Sequence, residues 1–208
     1  MTPSGIEIGA DGRPRCWWGA GDDSYRSYHD TEWGRPVDDD RRLFEKISLE
    51  AFMSGLSWLT ILRKRESFRR AFANFDPRAI AAFTEVDEAR LLEDPGIVRN
   101  RAKIAATLNN ARRYLELADE LGSLAAYVWK FEPPARRKRL DHAALMQVKF
   151  SPEAVAMSKD LHHRGWAFVG PTTIYSFMEA MGLVNDHLAG CFVGAEVEDL
   201  RSAFSRPA

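Results

Sequence analysis

The sequence predicts an all-α fold, and three observations carry that prediction. Apolar residues recur at helical spacing in several segments. Most of those segments are announced by an N-cap residue or by a proline at the first helical position. No run of alternating apolar and polar residues reads as a strand. At 208 residues and 45% hydrophobic composition, the chain suffices for one domain or two small lobes sharing a core. At ordinary helix lengths it holds about eight to ten helices.

Residues 1–14 are rich in Gly, Pro and Asp and read as a loose tail. Asp38, Asp39 and Asp40 offer an N-cap to a helix carrying Leu43, Phe44, Ile47 and Ala51. Asp76-Pro77 starts a second helix. Ile104, Leu108, Ala111 and Leu115 form an amphipathic stripe. Pro133 to Phe150 contains prolines and then basic residues, and reads as a surface loop. Ser151-Pro152 opens a helix that stops near Gly165. Gly170-Pro171 opens another, with Ile174, Phe177, Met178 and Met181 inward and Gly182 as its stop.

Composition excludes several classes. Two cysteines, Cys16 and Cys191, cannot build a disulfide framework or a four-cysteine iron–sulfur cluster. No apolar run approaches the ~18–20 residues of a membrane span, and no signal peptide is visible, so a cytoplasmic, membrane-free protein is expected. The net charge of −1, from 29 basic and 30 acidic residues, rules out a uniformly basic coat. The basic residues are nevertheless clustered. Residues 95–115 hold Arg99, Arg101, Lys103, Arg112 and Arg113 with no acid, and 60–71 and 135–149 are also strongly basic. Each cluster reads either as a solvated face or as part of one phosphate-binding surface.

Three constellations carry chemistry. Cys16 and His29 lie near one end of the chain, and His187 and Cys191 lie four apart near the other. On a helix, positions four apart share a face, so these four side chains can form a tetrahedral set for a structural Zn²⁺. The spacing alone is equally that of unconnected buried residues. Glu50 shares the face of Leu43 and Ile47. It is either a desolvated carboxylate that needs a partner or a residue at the stripe's edge. Trp17, Trp18, Tyr25, Tyr28, Trp33 and Trp58 surround it in sequence. They read as core, or as an aromatic box with a carboxylate floor suited to a flat cation. Finally, Asp94-Pro95-Gly96 makes a tight turn between two helices. Its amides, with Arg101 and Lys103 close by, can hold a phosphate.

At these residues the chain resembles a known family. The segments are Arg15-Cys16-Trp17-Trp18, Tyr28 to Gly34, Ser54-Gly55-Leu56-Ser57-Trp58, Asp94 to Arg99, and Phe168-Val169-Gly170-Pro171 through Gly182 to His187. Together they are similar to 3-methyladenine DNA glycosylase I, the Tag family of the helix–hairpin–helix glycosylase superfamily. The resemblance covers roughly residues 15–193. It implies a glycosylase domain of two helical lobes with a hairpin near 94–99, leaving 194–208 as a C-terminal extension.

The resemblance also implies roles. Cys16, His29, His187 and Cys191 would hold a structural zinc joining the two ends of the chain. Glu50 would be the catalytic, base-recognising carboxylate. Trp18, Tyr25, Tyr28 and Trp58 would form the base pocket. Gly55 and Leu56 would enter the DNA stack, and the hairpin at Gly96, with Arg101 and Lys103, would grip the backbone. The implied partner is double-stranded DNA carrying alkylated bases, bound by a monomer. Members of the superfamily commonly place an aspartate after the hairpin, and 95–115 has none. No lysine stands in an obvious Schiff-base context. Both points predict a monofunctional hydrolase restricted to labile cationic lesions. After Glu50 come Ala51, Phe52 and Met53, where some relatives carry glutamines. A non-catalytic binder of damaged DNA on the same scaffold and a small-molecule hydrolase with a cation pocket are the competing readings.

Overall fold

The computed structural model describes residues 4–136 and 138–208. Helices dominate it. They are α1 (Trp17–Ala20), α2 (Asp23–Thr31), α3 (Asp40–Met53), α4 (Trp58–Ala71), α5 (Pro77–Ala81), α6 (Glu85–Glu93), α7 (Arg101–Leu121), α8 (Leu124–Trp129), α9 (His142–Leu145), α10 (Pro152–His163), α11 (Pro171–Ala180) and α12 (Val193–Ala203). A 3₁₀ turn, Ala73–Phe75, follows α4. The helices outnumber the eight to ten expected because α1, α5, α8 and α9 are four to six residues long. Helices so short show no period in sequence.

The caps read from sequence are present. Asp39 accepts from the Arg42 amide, Asp76 from Arg78 and Ala79, and Ser151 from Ala154. Pro77, Pro152 and Pro171 stand at helix starts. Asp40 does more than begin α3. It accepts from Tyr114 Oη at 2.8 Å and from the Leu124 and Ala125 amides at 3.0 and 2.8 Å, locking α3 to the end of α7 and the start of α8. The core lies where α3, α7, α8, α10 and α11 meet, around Phe44, Phe52, Ile104, Tyr127, Met157 and Phe177. Gly182 ends the segment after α11 at φ +81°. A Cβ there would lie 2.5 Å from the Pro36 backbone, so only glycine fits.

Three expectations differ from the structure. Residues 4–14 are not a loose tail throughout. Strands β1 (Ile6–Ile8) and β2 (Pro14–Cys16) pair antiparallel, with Ile6 opposite Cys16. Each strand has three residues, too few for alternation to register. Residues 194–208 are not a mere extension, since α12 buries Val197 and Arg201. Arg201 Nε donates to the Gly182 carbonyl at 2.7 Å. Within 133–150 the chain is mostly irregular, with Lys138 and Lys149 exposed, yet two of its arginines reach inward. Arg136 pairs with buried Asp186, and Arg139 donates to the Leu188 and Cys191 carbonyls at 3.2 and 3.0 Å. Arg137 lies outside the described residues.

Candidate active site and metal centre

Between α1, α2, α3, α4 and α11 an open cavity of about 580 Å³ is lined by Trp18, Tyr25, Tyr28, Trp33, Lys46, Glu50, Met53, Trp58, Ser176 and Glu179. All four aromatics expected around Glu50 are there. Trp18 meets Tyr25 edge to face at 5.7 Å between ring centroids, and Tyr28 meets Trp58 at 5.3 Å. The Tyr25 hydroxyl accepts from the Leu59 amide at 3.0 Å, pinning the start of α4.

Glu50 is 3% exposed, which settles its position as buried rather than marginal. Its Oε1 pairs with Lys46 Nζ at 2.6 Å. Among the described residues its Oε2 has no hydrogen-bond partner, and neither has Trp58 Nε1. A buried polar atom without a partner is costly, so one free acceptor and one free donor in one cavity mark a place for a polar ligand edge. Burial, and then Glu50, push the Tyr28 hydroxyl well above its ordinary range. Burial, and then Asp186, push the Glu179 carboxyl well above the usual carboxylate range.

The metal cluster assembles from distant segments. The ligand atoms of Cys16, His29, His187 and Cys191 lie within 4.8 Å of one another, and all four residues are buried. Cys191 Sγ stands 3.5 Å from His29 Nε2 and 3.6 Å from His187 Nδ1. The far nitrogen of each imidazole is held: His29 Nδ1 lies 2.8 Å from Asp30 Oδ1, and His187 Nε2 lies 3.1 Å from the Trp33 carbonyl. Asp30 is in turn gripped by Arg15 at 2.8 Å. Such outer partners fix which nitrogen faces an ion. The Cys191 thiol is held well below its usual range by its hydrogen bond to Cys16, with His187 and His29 adding. The donor set and its burial suit a metal ion. His187 and Cys191 do not share a helix face, however. They lie in the loop between α11 and α12, where the backbone rather than helical periodicity converges them.

Leu56 is 45% exposed at the tip of the α3–α4 loop, beside Gly55 at φ +79°. At the hairpin between α6 and α7, Asp94 Oδ1 accepts from the Gly96 amide at 2.7 Å, and Lys64 Nζ donates to the Pro95 and Gly96 carbonyls at 3.0 and 3.2 Å. Arg101 is exposed and pairs with Glu88 at 2.7 Å. Lys103 is not a surface cation. It is 7% exposed, and its Nζ donates to the Phe52 and Ser54 carbonyls at 2.9 and 2.5 Å. It closes the C-terminus of α3 and fixes the loop that carries Leu56.

A family model described as methyladenine glycosylase matches residues 17–194. The chain belongs to this family. DNA-3-methyladenine glycosylase 1 of Escherichia coli K12 is 45% identical over 181 residues, covering 85% of this chain and 95% of that protein. The Haemophilus influenzae DNA-3-methyladenine glycosylase is 43% identical over 180 residues, covering 85% and 96%. A crystal structure of 3-methyladenine DNA glycosylase I superposes with a TM-score of 0.80 at 46% identity, covering 86% of this chain and 98% of that one. The Staphylococcus aureus glycosylase, solved to explain its recognition of 3-methyladenine, gives a TM-score of 0.80 at 38% identity, covering 86% and 95%.

Within this glycosylase, the stretch after Glu50 divides its work. Phe52 packs at 4.7 Å on Phe68 in the core, while Met53 lines the cavity. Lys46, Ser176 and Glu179 escaped the sequence reading. Lys46 was findable, since it lies one turn before Glu50 on the same helix. Ser176 and Glu179 reach the cavity only because α11 packs across α3. Lys103→Met is expected to lower unfolding free energy by about 1–3 kcal/mol, because two carbonyls lose their donor. Urea denaturation measures it.

Proposed function

We propose that this glycosylase flips N3-methylated adenine out of duplex DNA, hydrolyses its N-glycosidic bond and leaves an abasic site. The observation that carries the reading is the unpartnered Oε2 of buried Glu50 inside an aromatic cavity. A flat base fits between aromatic faces, and a cationic one is favoured by a carboxylate in a site of low dielectric. Taking the base out of the stack costs a few kcal/mol. Leu56, exposed and backed by Gly55, fills the gap. Arg101 and the hairpin at Gly96 contact backbone phosphates.

N3-alkylation makes the base a good leaving group. The C1′–N bond breaks, its electron pair goes to the base nitrogen, and the base departs neutral. Water adds at C1′ and gives up a proton. Glu50 recognises the base and favours the positive charge developing on the sugar. The acid-free stretch 95–115 supplies no further carboxylate, which suits labile cationic lesions.

The four-ligand cluster is read as a structural Zn²⁺ site. Bonds of about 2.0–2.3 Å give a tetrahedron with edges of roughly 3.3–3.8 Å, close to the sulfur–nitrogen separations described above. Four protein donors leave no position for a catalytic water, so zinc would supply folding energy. We also propose that the protein acts as a cytoplasmic monomer on double-stranded DNA.

Methylated duplex treated with the protein should acquire sites that break in alkali but not without it. Direct strand cleavage would instead indicate lyase chemistry, and no alkali-labile sites would leave only a DNA-binding scaffold. Leu56→Ala should weaken extrusion by about 1.5–3 kcal/mol, roughly 10- to 100-fold in single-turnover efficiency.

A further inference from the structure

The base cavity already contains a cation. Lys46 is 5% exposed. Its ammonium sits 2.6 Å from Glu50 Oε1 and 2.8 Å from the Tyr28 hydroxyl oxygen, to which it donates. It also lies 3.2 Å from the centroid of the Trp58 ring. Lys46 thus uses the two features that attract a positively charged base, the carboxylate and an aromatic face. Glu50 Oε2 remains the free acceptor.

We propose that Lys46 is a specificity-determining residue of the base cavity: a resident cation with which a positively charged alkylated base must share Glu50. The inference rests on the glycosylase reading above. With Lys46 charged, the Lys46–Glu50 pair is neutral before any base enters. A cationic base bonded to Oε2 stands on the order of 5 Å from Nζ. At an effective dielectric of about 20, two like charges at that distance cost about 10²-fold in affinity.

The repulsion does not outlast the reaction. When the C1′–N bond breaks, the electron pair passes to the base nitrogen and the base becomes neutral. Lys46 therefore disfavours the bound substrate more than the departing base. An interaction of this kind weakens capture and speeds departure. A neutral purine meets no such repulsion, so Lys46 also narrows the preference between cationic and neutral bases. Burial lowers the lysine's proton affinity, opposed by Glu50, which is consistent with an ammonium held at a cost.

Single-turnover release of 3-methyladenine from methylated duplex tests this in the wild type, Lys46→Met and Lys46→Arg, each checked by thermal melting. Lys46→Met should lower the half-saturating concentration at least about fivefold and lower the plateau rate by a similar factor. Lys46→Arg, which keeps the charge, should stay near wild type. If the methionine variant does not fold, Lys46→Gln carries the same expectation. A higher half-saturating concentration in the uncharged variant, or no change in either parameter, overturns the proposal. So does an arginine variant that behaves like methionine. A wild type that releases no base overturns the glycosylase reading itself, which is a separate failure.

Discussion

Replacing Cys191 with alanine should lower the melting temperature by about 8–16 °C. Structural zinc contributes roughly 10–16 kcal/mol to the folding of small metal domains. This chain has a large apolar core of its own, so only part of that range is at stake. A loss of about 4 kcal/mol in a domain of this size corresponds to that shift. The loss should reach the base cavity. Cys16 ends β2 and directly precedes α1, and Trp18 of α1 walls the cavity. Trp18 packs on His29 with ring centroids 5.0 Å apart, and Trp33 on His187 at 4.6 Å. Freeing the ligands frees both tryptophans. Calorimetry with metal analysis on the wild type, on Cys191→Ala and on chelator-treated protein checks this. Unchanged melting, with no metal bound to the wild type, would reduce the cluster to a buried polar core.

Glu50→Gln should lower single-turnover base release at least about 100-fold, the usual cost of removing one preorganised electrostatic group. The amide keeps the shape of the carboxylate and loses its charge. It also leaves Lys46 without its counter-charge, so stability should fall as well. Duplex binding should change little, because Leu56, Arg101 and the hairpin lie outside the cavity. Separating the two effects requires binding to undamaged duplex beside the release kinetics. A variant that loses both equally would place Glu50 in folding rather than in chemistry.

Local signals made most of the fold legible. Asp39, Asp76-Pro77, Ser151-Pro152 and Gly170-Pro171 each state a helix start through a capping atom or a fixed φ, and those helices are present. The β1–β2 hairpin was not legible, because three-residue strands have no period to detect. The aromatic cavity was legible in composition: six tryptophans are many for this length, and of those near Glu50 in sequence Trp18, Trp33 and Trp58 line its cavity, while Trp17 packs on His142. Charge sign was the weakest guide. Lys103 reads as a phosphate contact, and the cluster that holds Arg136 and Arg139 as a solvated face or part of a phosphate-binding surface, yet these three side chains cap carbonyls or pair with a buried acid. Lys46, which no sequence signal singled out, is buried against Glu50. A sequence records that a side chain is cationic. Only packing decides whether it faces water, a carbonyl or a carboxylate.

The most direct test of the central claim is chromatography of the bases that wild type and Glu50→Gln release from one preparation of methylated duplex. Wild type should release free 3-methyladenine and the variant little, with both proteins folded and binding duplex equally. Equal release by the two proteins would contradict the role of Glu50. No release by folded, metal-loaded wild type would contradict the glycosylase reading altogether.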